Sequence, residues 1–486
     1  MAQTDNIPVT FVIFGASGDL TNRKILPALC SLAADGHIGK EFNLVGIART
    51  ELTDKAFQQL IKKSAGSKCA EFNEIISRAK YITGEYTHND TFDQLKDILA
   101  THNNSNICYY LATIPEMFGE IAIQLSKNGL SRSTNGKFIR LVIEKPFGRS
   151  YESAEKLNSM LHQAMDENQI FRIDHYMGKE NVQNLLALRF ANAIFEPIWN
   201  RRYVDNIQLT VAESLGVEHR GGFYEAEGAL RDIVQNHVMQ VLSLTLMEPP
   251  ANMDANSIRN EKVKLLQSIE IMNKTEIAQN VVRGQYVAGT IDDQKVPAYR
   301  MEPGVSKSST TETFVAMRLS VDNWRWAGVP IYVRTGKRLK LRATELALQF
   351  KRVPHMSFSK ELTHDLEPDV LVLKIQPNEG ISVQFGVKVP GREFKLKTVS
   401  MDFNYQDEFK EPSKDAYQRL ILDAIVGDPT LFIRSDEVMQ AWKIITPVEM
   451  AFKHNVTPLT SYKAGSLGPV ESDKLLAQYK HKWHLQ

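Results

Sequence analysis

The first third of the chain alternates short apolar runs with amphipathic stretches. Apolar runs of strand length occur at 9–14, 43–48, 107–112, 138–143 and 170–173. Between them, apolar positions recur with helical spacing at 24–34, 54–63, 92–100, 116–127 and 154–168. Strands that alternate with helices indicate βαβ units and a parallel sheet covered on both faces. The pattern therefore predicts an N-terminal, Rossmann-like, doubly wound α/β domain.

The pattern changes after about residue 175. A helical stretch at 179–190 leads to a strand at 207–211 and a long helix at 227–247. Strand-like runs then follow one another at 313–321, 331–334, 344–350, 370–376, 381–389 and 394–403, and two more helices are predicted at 414–426 and 436–445. Adjacent strands joined by short loops favour a big, mostly antiparallel sheet. We therefore expect a dinucleotide-binding domain over 1–177 and a larger α+β domain over 178–486.

Composition narrows the class of protein without indicating its chemistry. The 486 residues are 43% apolar and 24% charged, with a formal net charge of +1. This balance gives no global field for nucleic acid or an anionic membrane. Cys30, Cys69 and Cys108 lack CxxC spacing, which argues against a disulfide framework or a zinc site and favours a reducing compartment. No apolar run approaches the ~20 residues that span a bilayer, so we expect a cytoplasmic protein.

A glycine-bearing turn follows the first predicted strand. The segment GASGDL (15–20) precedes a helix, where backbone N–H groups can approach a pyrophosphate. Its spacing is GxxGxx rather than GxGxxG, so a simple tight turn is the alternative interpretation. Arg23 and Lys24 add two cations. Arg49 ends the second strand where NAD enzymes carry an acid, and it favours the 2′-phosphate of NADP. Thr50 offers a further hydroxyl, and use of NAD stays open.

Two further segments place polar groups at strand ends. EKPFG (144–148) positions Lys145 to reach a hydroxyl-rich substrate, and Pro146 favours a tight or cis turn. A surface ion pair is the alternative interpretation of this segment. RIDHYMGKE (172–180) concentrates four polar or ionisable groups, namely Asp174, His175, Tyr176 and Lys179. Lysine, imidazole and phenol together can bind a phosphate through charge and several donors.

A histidine lies on the apolar stripe of the helix predicted at 227–247. His237 stands four residues after Ile233 and four before Val241. An inward-facing imidazole must find a partner, since burying it unpaired costs about 1–3 kcal/mol. It is either a satisfied core histidine or a general base whose tautomer is fixed by a carboxylate. Spacing alone leaves both interpretations open.

Together these segments resemble the glucose-6-phosphate dehydrogenase family. The resemblance rests on GASGDLTNRKILPAL, EKPFG, RIDHYMGKE, RDIVQNH, VDNWRWAGVPIYVRTGKRL and YKAGSLGP, which occur in the family's order and span nearly the whole chain. The ending from Gly465 to Leu475 looks most like the enzymes of lactic-acid bacteria. The resemblance implies oxidation of glucose 6-phosphate at C1 to 6-phosphoglucono-1,5-lactone with NADP, the first step of the pentose phosphate pathway. It implies no metal, and a homodimer or homotetramer formed through the large sheet domain.

The resemblance also assigns roles to residues. His237 would be the general base, and Asp174 would orient it. Substrate contacts would come from Lys145, His175, Tyr176, Lys179, Glu213, Asp232, Lys337 and Gln376. Coenzyme contacts would come from Gly15, Ser17, Gly18, Asp19, Leu20, Lys24, Arg49, Thr50, Ala112, Lys145 and Pro146.

Two rival functions use the same kind of fold. A sugar oxidoreductase with an EKP segment could act on an unphosphorylated sugar, but the residues His175, Tyr176 and Lys179 argue for phosphate. A non-catalytic NADP-sensing protein is the second rival. The presence of Asp174, His237 and Lys145 argues against it, since coenzyme binding alone needs none of them.

Overall fold

The computed structural model describes residues 7–66, 71–102, 105–133, 136–410 and 415–485. The strands are β1 (Val9–Phe14), β2 (Phe42–Ala48), β3 (Lys80–Thr83), β4 (Asn106–Leu111), β5 (Ile139–Ile143), β6 (Ile170–Arg172), β7 (Val204–Ala212), β8 (Val281–Val287), β9 (Gly289–Ile291), β10 (Gln294–Val296), β11 (Phe314–Leu319), β12 (Ile331–Gly336), β13 (Ala343–Phe350), β14 (Val370–Gln376), β15 (Gly380–Lys388), β16 (Leu396–Asn404) and β17 (Leu459–Lys463).

The α-helices are α1 (Leu26–Ala34), α2 (Asp54–Ala65), α3 (Asn73–Arg78), α4 (Asn89–Thr101), α5 (Met117–Lys127), α6 (Tyr151–Ala164), α7 (Glu180–Phe190), α8 (Gly221–Ala229), α9 (Met239–Leu246), α10 (Ala255–Ser268), α11 (Lys274–Asn280), α12 (Lys360–Thr363), α13 (Tyr405–Phe409), α14 (Ala416–Val426), α15 (Ser435–Lys453) and α16 (Val470–Ala477). Two segments have π-helical hydrogen bonding: Thr21–Ile25 before α1 and Leu230–Val238 between α8 and α9.

The chain divides into two compact units. The first comprises Met1–Lys179, Pro250–Asn260 and Lys414–Met439. The second comprises Glu180–Pro249, Glu261–Ser413 and Gln440–Gln486. Two later segments of the sequence thus belong to the first unit. The domain division at 177/178 stays a prediction.

The first unit is built on a six-stranded parallel sheet. Its strand order is β3-β2-β1-β4-β5-β6, with every neighbouring pair parallel. All six residues of β1 are buried, as expected where helices cover both faces of a sheet. The predicted doubly wound α/β fold is thereby confirmed. The four-residue strand β3 was not predicted, because only its two central residues are buried.

The second unit contains a nine-stranded sheet. Its order is β16-β15-β14-β13-β7-β12-β11-β8-β17. The pairs β7/β12 and β8/β17 are parallel, and the other neighbours are antiparallel. The big, mostly antiparallel sheet is therefore confirmed. Strand β8 was missed because it buries polar residues: the Arg283 guanidinium donates to the carbonyl of Thr457 and to Asn455.

The prediction of one continuous helix at 227–247 is wrong, because the structure divides this stretch into three segments. Gly228 leaves helical geometry, with φ 64° and ψ 176°, and Leu230–Val238 then adopts π-helical hydrogen bonding. A Cβ atom on Gly228 would lie 2.3 Å from Oε1 of Glu312. That same carboxylate accepts a hydrogen bond of 3.0 Å from the Leu230 amide. A remote carboxylate thus satisfies the first amide of the π-helix, at a position where only glycine fits.

Two observations bear on the expectations drawn from composition. None of the helices in the described part of the chain has both the length and the apolar character that a bilayer crossing requires. Cys30 and Cys108 are buried in the first unit, whereas Cys69 lies outside the described residues.

Candidate active site

The predicted site segments of the first unit all follow the carboxyl ends of parallel strands. Gly15 follows β1, Arg49 follows β2, Ala112 follows β4, and Glu144 follows β5. Asp174 comes two residues after β6. Because parallel strands end at the same edge of a sheet, the unit gathers these segments along one edge, where doubly wound folds bind their ligands.

The glycine turn has the geometry of a close backbone approach. Gly15 has φ +87°, and its amide donates to the carbonyl of Ile47 at 2.8 Å. A Cβ atom on Gly15 would lie 2.3 Å from the Ala112 carbonyl oxygen. The turn leads into a helical segment at Asp19, so a helix N-terminus follows the glycines directly. This arrangement fits the pyrophosphate of a nicotinamide dinucleotide.

Two side chains that sequence reasoning missed hold this turn. The Thr21 hydroxyl donates to the Gly15 carbonyl at 2.9 Å, and the Asn22 amide donates to the Gly18 carbonyl at 2.8 Å. Short polar side chains that bond nearby backbone carbonyls are typical of turns and helix starts. The position of Thr21 and Asn22, directly after the glycine turn and before a predicted helix, was the signal that could have identified them.

The cations predicted for the coenzyme are exposed at the rim of the turn. The Arg49 side chain is exposed at the end of β2. The hydroxyls of Ser17 and Thr50 lie 2.9 Å apart, joining the turn to the end of β2. Lys24 is also exposed, and its Nζ forms a 2.8 Å ion pair with Asp415. Sequence reasoning missed Asp415, which lies 391 residues further along the chain.

The EKPFG segment contains a buried carboxyl group beside the predicted lysine. Lys145 is half-buried, and the Lys145–Pro146 peptide bond is cis. Glu144 is 7% exposed and accepts hydrogen bonds from the hydroxyls of Tyr110 and Tyr417. Burial raises the pKa of Glu144 to about 7, although these hydrogen bonds and the Lys145 charge favour its ionised form. The surface ion pair considered for this segment is therefore wrong for Glu144.

The first unit brings the predicted phosphate-binding side chains together. Asp174 is 0% exposed, and its Oδ1 accepts the Tyr176 amide at 2.9 Å. The His175 ring lies 5.4 Å from the Tyr176 ring and 6.4 Å from the Tyr417 ring, between centroids. The Lys179 Nζ lies 3.9 Å from the centroid of the Tyr176 ring. An imidazole, a phenol and an ammonium group are thus adjacent, and we call His175, Tyr176 and Lys179 the phosphate cradle.

The second unit brings three predicted substrate residues together. Glu213 follows β7 and Lys337 follows β12, and these two strands are parallel neighbours. The Lys337 Nζ lies 2.6 Å from Oε2 of Glu213 and 3.9 Å from Oδ2 of Asp232. We call these three residues the lysine–carboxylate cluster. One ammonium and two carboxylates can donate to and accept from the hydroxyls of a sugar.

The remaining substrate candidate of this unit lies in the same sheet. Gln376 ends β14, is half-buried, and donates to the Thr344 hydroxyl at 2.9 Å. Thr344 belongs to β13, which lies between β14 and β7 in the sheet.

His237 is buried within the π-helical segment. It is 1% exposed, and every residue from 233 to 238 is buried, so the segment is enclosed on all sides rather than along one stripe. A π-helix closes its hydrogen bonds over five residues, and Asp232 precedes His237 by five. The two side chains therefore lie closer to a common face than an α-helix would place them. Asp174 and His237 belong to different units, and their pairing stays a prediction.

Two family profiles match the chain over successive stretches. The profile described as "Glucose-6-phosphate dehydrogenase, NAD binding domain" matches residues 12–184. The profile described as "Glucose-6-phosphate dehydrogenase, C-terminal domain" matches residues 186–484. Together they account for nearly the whole chain.

Individual relatives agree with the profiles. A glucose-6-phosphate 1-dehydrogenase of Aggregatibacter actinomycetemcomitans is 45% identical over 483 residues, covering 97% of this chain and 96% of the relative. One of Bacillus subtilis (strain 168) is 43% identical over 483 residues, covering 97% of each. A solved structure described as "Glucose-6-phosphate dehydrogenase in complex with its substrate glucose-6-phosphate" has a TM-score of 0.90 at 33% identity, covering 99% of this chain and all of that one. The narrower likeness to enzymes of lactic-acid bacteria stays a prediction.

Proposed function

The chain belongs to the glucose-6-phosphate dehydrogenase family, and we propose that it oxidises glucose 6-phosphate at C1 to 6-phosphoglucono-1,5-lactone with a nicotinamide coenzyme. The observation that carries the substrate assignment is the phosphate cradle, because an unphosphorylated sugar has no group that needs an ammonium group, an imidazole and a phenol side by side. The lysine–carboxylate cluster supports the sugar part of the assignment.

The glycine turn supports a dinucleotide, and the exposed Arg49 favours NADP over NAD. Gly15, Ser17, Gly18, Asp19 and Leu20 would face the pyrophosphate. Lys24 would add a cation beside the pyrophosphate, and Arg49 and Thr50 would meet the 2′-phosphate. Ala112, Lys145 and Pro146 would contact the coenzyme further along the strand ends. When bound, the nicotinamide accepts the hydride that leaves C1.

The protein's own residues have three tasks in this proposal. His237 takes the proton of the C1 hydroxyl, because the carbonyl forms only if that proton leaves as the hydride does. Asp174 orients the imidazole and stabilises its protonated form. The phosphate cradle, with Lys145, Gln376 and the lysine–carboxylate cluster, fixes the sugar so that C1 is held in one place. Positioning of this kind can supply several kcal/mol of rate enhancement.

Steady-state kinetics with two sugars and two coenzymes test the substrate and the coenzyme. We expect turnover of glucose 6-phosphate far above that of glucose, with a higher kcat/KM for NADP than for NAD. Equal efficiency on both sugars would favour the oxidoreductase of unphosphorylated sugars. Tight NADP binding without any turnover would favour the sensor. An Arg49→Glu variant should lose the preference for NADP, because it restores the acid that grips a ribose hydroxyl.

Two substitutions test the residue roles. His237→Asn should lower kcat by roughly 10²- to 10⁴-fold with a modest change in KM, whereas the exposed His454→Asn serves as control. Little loss of kcat would mean that His237 is a core histidine.

Lys179→Ala should raise KM for glucose 6-phosphate far more than KM for NADP, and the exposed Lys156→Ala should change neither. Equal losses for both ligands would contradict the phosphate assignment.

A homodimer or homotetramer formed through the nine-stranded sheet is also proposed. The edge strand β16 leaves Val399, Met401 and Phe403 exposed, and alternate residues of a strand share one face. An apolar face of this kind suits a second copy of the chain. Sedimentation equilibrium tests the mass, and hydrogen exchange at 396–404 on dilution tests the surface. A monomer at all concentrations would contradict the proposal. The cytoplasmic location stays a prediction.

A further inference from the structure

Five buried tyrosines lie in one hydrophobic cluster of the second unit, and four of them have a hydrogen-bond partner for the hydroxyl group. Tyr286 donates to Glu302, Tyr299 donates to Glu225, and Tyr462 donates to the Lys337 carbonyl. Tyr332 lies 2.9 Å from Nδ1 of His481. These four follow the rule that a buried polar group is paired.

Tyr224 is the exception. It is 3% exposed, and its hydroxyl oxygen has no hydrogen-bond partner among the described residues. Its ring is held in place, since it meets the Tyr299 ring edge-on at 6.1 Å between centroids. A phenylalanine would give the same packing without the cost of a buried hydroxyl group. The hydroxyl of Tyr224 therefore needs an explanation outside the folded chain.

The surroundings of Tyr224 indicate what that explanation is. The Lys337 Nζ lies 5.0 Å from the centroid of the Tyr224 ring, and the same ammonium is ion-paired with Glu213. Burial, with the negative charges of Asp232, Glu312 and Glu213 nearby, raises the pKa of Tyr224 well above its ordinary value. The phenol therefore keeps its proton and can act as a hydrogen-bond donor beside the lysine–carboxylate cluster.

We propose that the Tyr224 hydroxyl is a further substrate contact, donating a hydrogen bond to one of the non-reacting hydroxyls at C2, C3 or C4 of the sugar. This proposal rests on the proposed function. It makes Tyr224 a specificity-determining residue, because a sugar without that hydroxyl would leave the buried phenol unpaired. It also explains why the hydrophobic cluster keeps one tyrosine whose hydroxyl has no hydrogen-bond partner among the described residues.

Tyr224→Phe tests the proposal, with Tyr286→Phe as the matched control from the same cluster. We expect Tyr224→Phe to lower kcat/KM for glucose 6-phosphate about 3- to 10-fold, the range of one neutral hydrogen bond. KM for NADP should stay unchanged, and the melting temperature without substrate should stay equal or rise. Tyr286→Phe should instead lower the melting temperature, since it leaves Glu302 without this donor, and should keep kcat/KM.

Deoxy substrates decide whether the loss comes from a direct contact. The 2-, 3- and 4-deoxy analogues of glucose 6-phosphate are assayed with the wild-type protein and with Tyr224→Phe. The loss caused by Tyr224→Phe should disappear for one analogue and persist for the other two. The proposal is overturned if Tyr224→Phe loses no efficiency, or if its loss persists for all three analogues. Absence of wild-type turnover would instead overturn the proposed function, so the two failures are distinguishable.

Discussion

The buried carboxyl group of Glu144 predicts an unusual dependence of stability on pH. Glu144 is 7% exposed, and burial raises its pKa from 4.5 to about 7. A difference of this size between the folded and unfolded states corresponds to about 3 kcal/mol. Between these two pKa values the folded state holds a proton that the unfolded state has released. The free energy of unfolding should therefore fall as pH rises from about 4.5 to about 7.

Glu144→Gln removes this titration while keeping a side chain that can bond Tyr110 and Tyr417. Well below pH 4.5 the wild-type carboxyl is neutral in both states, so the substitution changes only local hydrogen bonding there. Near pH 8 the wild-type protein must hold an ionised carboxylate in a buried place, and the amide does not. The free energy of unfolding of the variant relative to the wild type should therefore increase with pH, by up to about 3 kcal/mol across this range.

Urea unfolding at pH 5, 6, 7 and 8 measures this difference. The signal must be far-ultraviolet circular dichroism, because all five tryptophans lie in the second unit and Glu144 lies in the first. The exposed Glu120→Gln is the control for replacing a carboxyl by an amide on the surface of the same unit. Suppose that the free energies of unfolding of Glu144→Gln and the wild type differ by the same amount at all four pH values. That result would show that Glu144 does not titrate in this range and would refute a raised pKa caused by burial.

Two glycine substitutions give further predictions. Gly15→Ala should raise KM for NADP at least tenfold, because its Cβ would lie 2.3 Å from the Ala112 carbonyl oxygen and its φ of +87° is strained for alanine. An unchanged KM in steady-state kinetics would contradict the proposal that the turn binds the coenzyme. Gly228→Ala should lower the free energy of unfolding by about 1–3 kcal/mol and lower kcat, because its Cβ would meet the Glu312 carboxylate. Urea unfolding followed by tryptophan fluorescence measures the free energy, and steady-state kinetics measure kcat. If neither quantity changed, the break before the π-helix would be dispensable.

The sequence predicted the first unit well because parallel strands covered on both faces are apolar at nearly every position. Strand β1 is buried along its whole length and is apolar at every position except Thr10, and such runs are visible without knowledge of their neighbours. Strand β8 could not be found in the same way. It buries Arg283 and Gln285, whose polar atoms are paired with residues at 455–457 and at 309–311. Pairing over such distances along the chain hides a buried strand from any local pattern.

The candidate site shows the same limit in its two missed tyrosines. Tyr110 and Tyr417 both donate to Glu144, yet they are far apart in the sequence and one of them lies within an apolar strand. An aromatic residue in such a run indicates a core position, which Tyr110 does occupy. Only the folded structure shows that its hydroxyl reaches the EKPFG segment.

The helix that contains His237 shows how regular periodicity fails around a proposed catalytic residue. The apolar stripe at 230–241 predicts a regular α-helix with His237 on its buried face, and the burial of His237 is confirmed. The regular helix is wrong, because Gly228 breaks it and the Glu312 carboxylate, 82 residues away, binds the first amide of the π-helix. Wider π-helical turns bring Asp232 and His237 closer to one face, which an α-helix with the same stripe would not do. The π-helical segment departs from the regular α-helix that its sequence favours, and the remote Glu312 carboxylate stabilises it. Departures of this kind are expected at functional sites rather than in core helices.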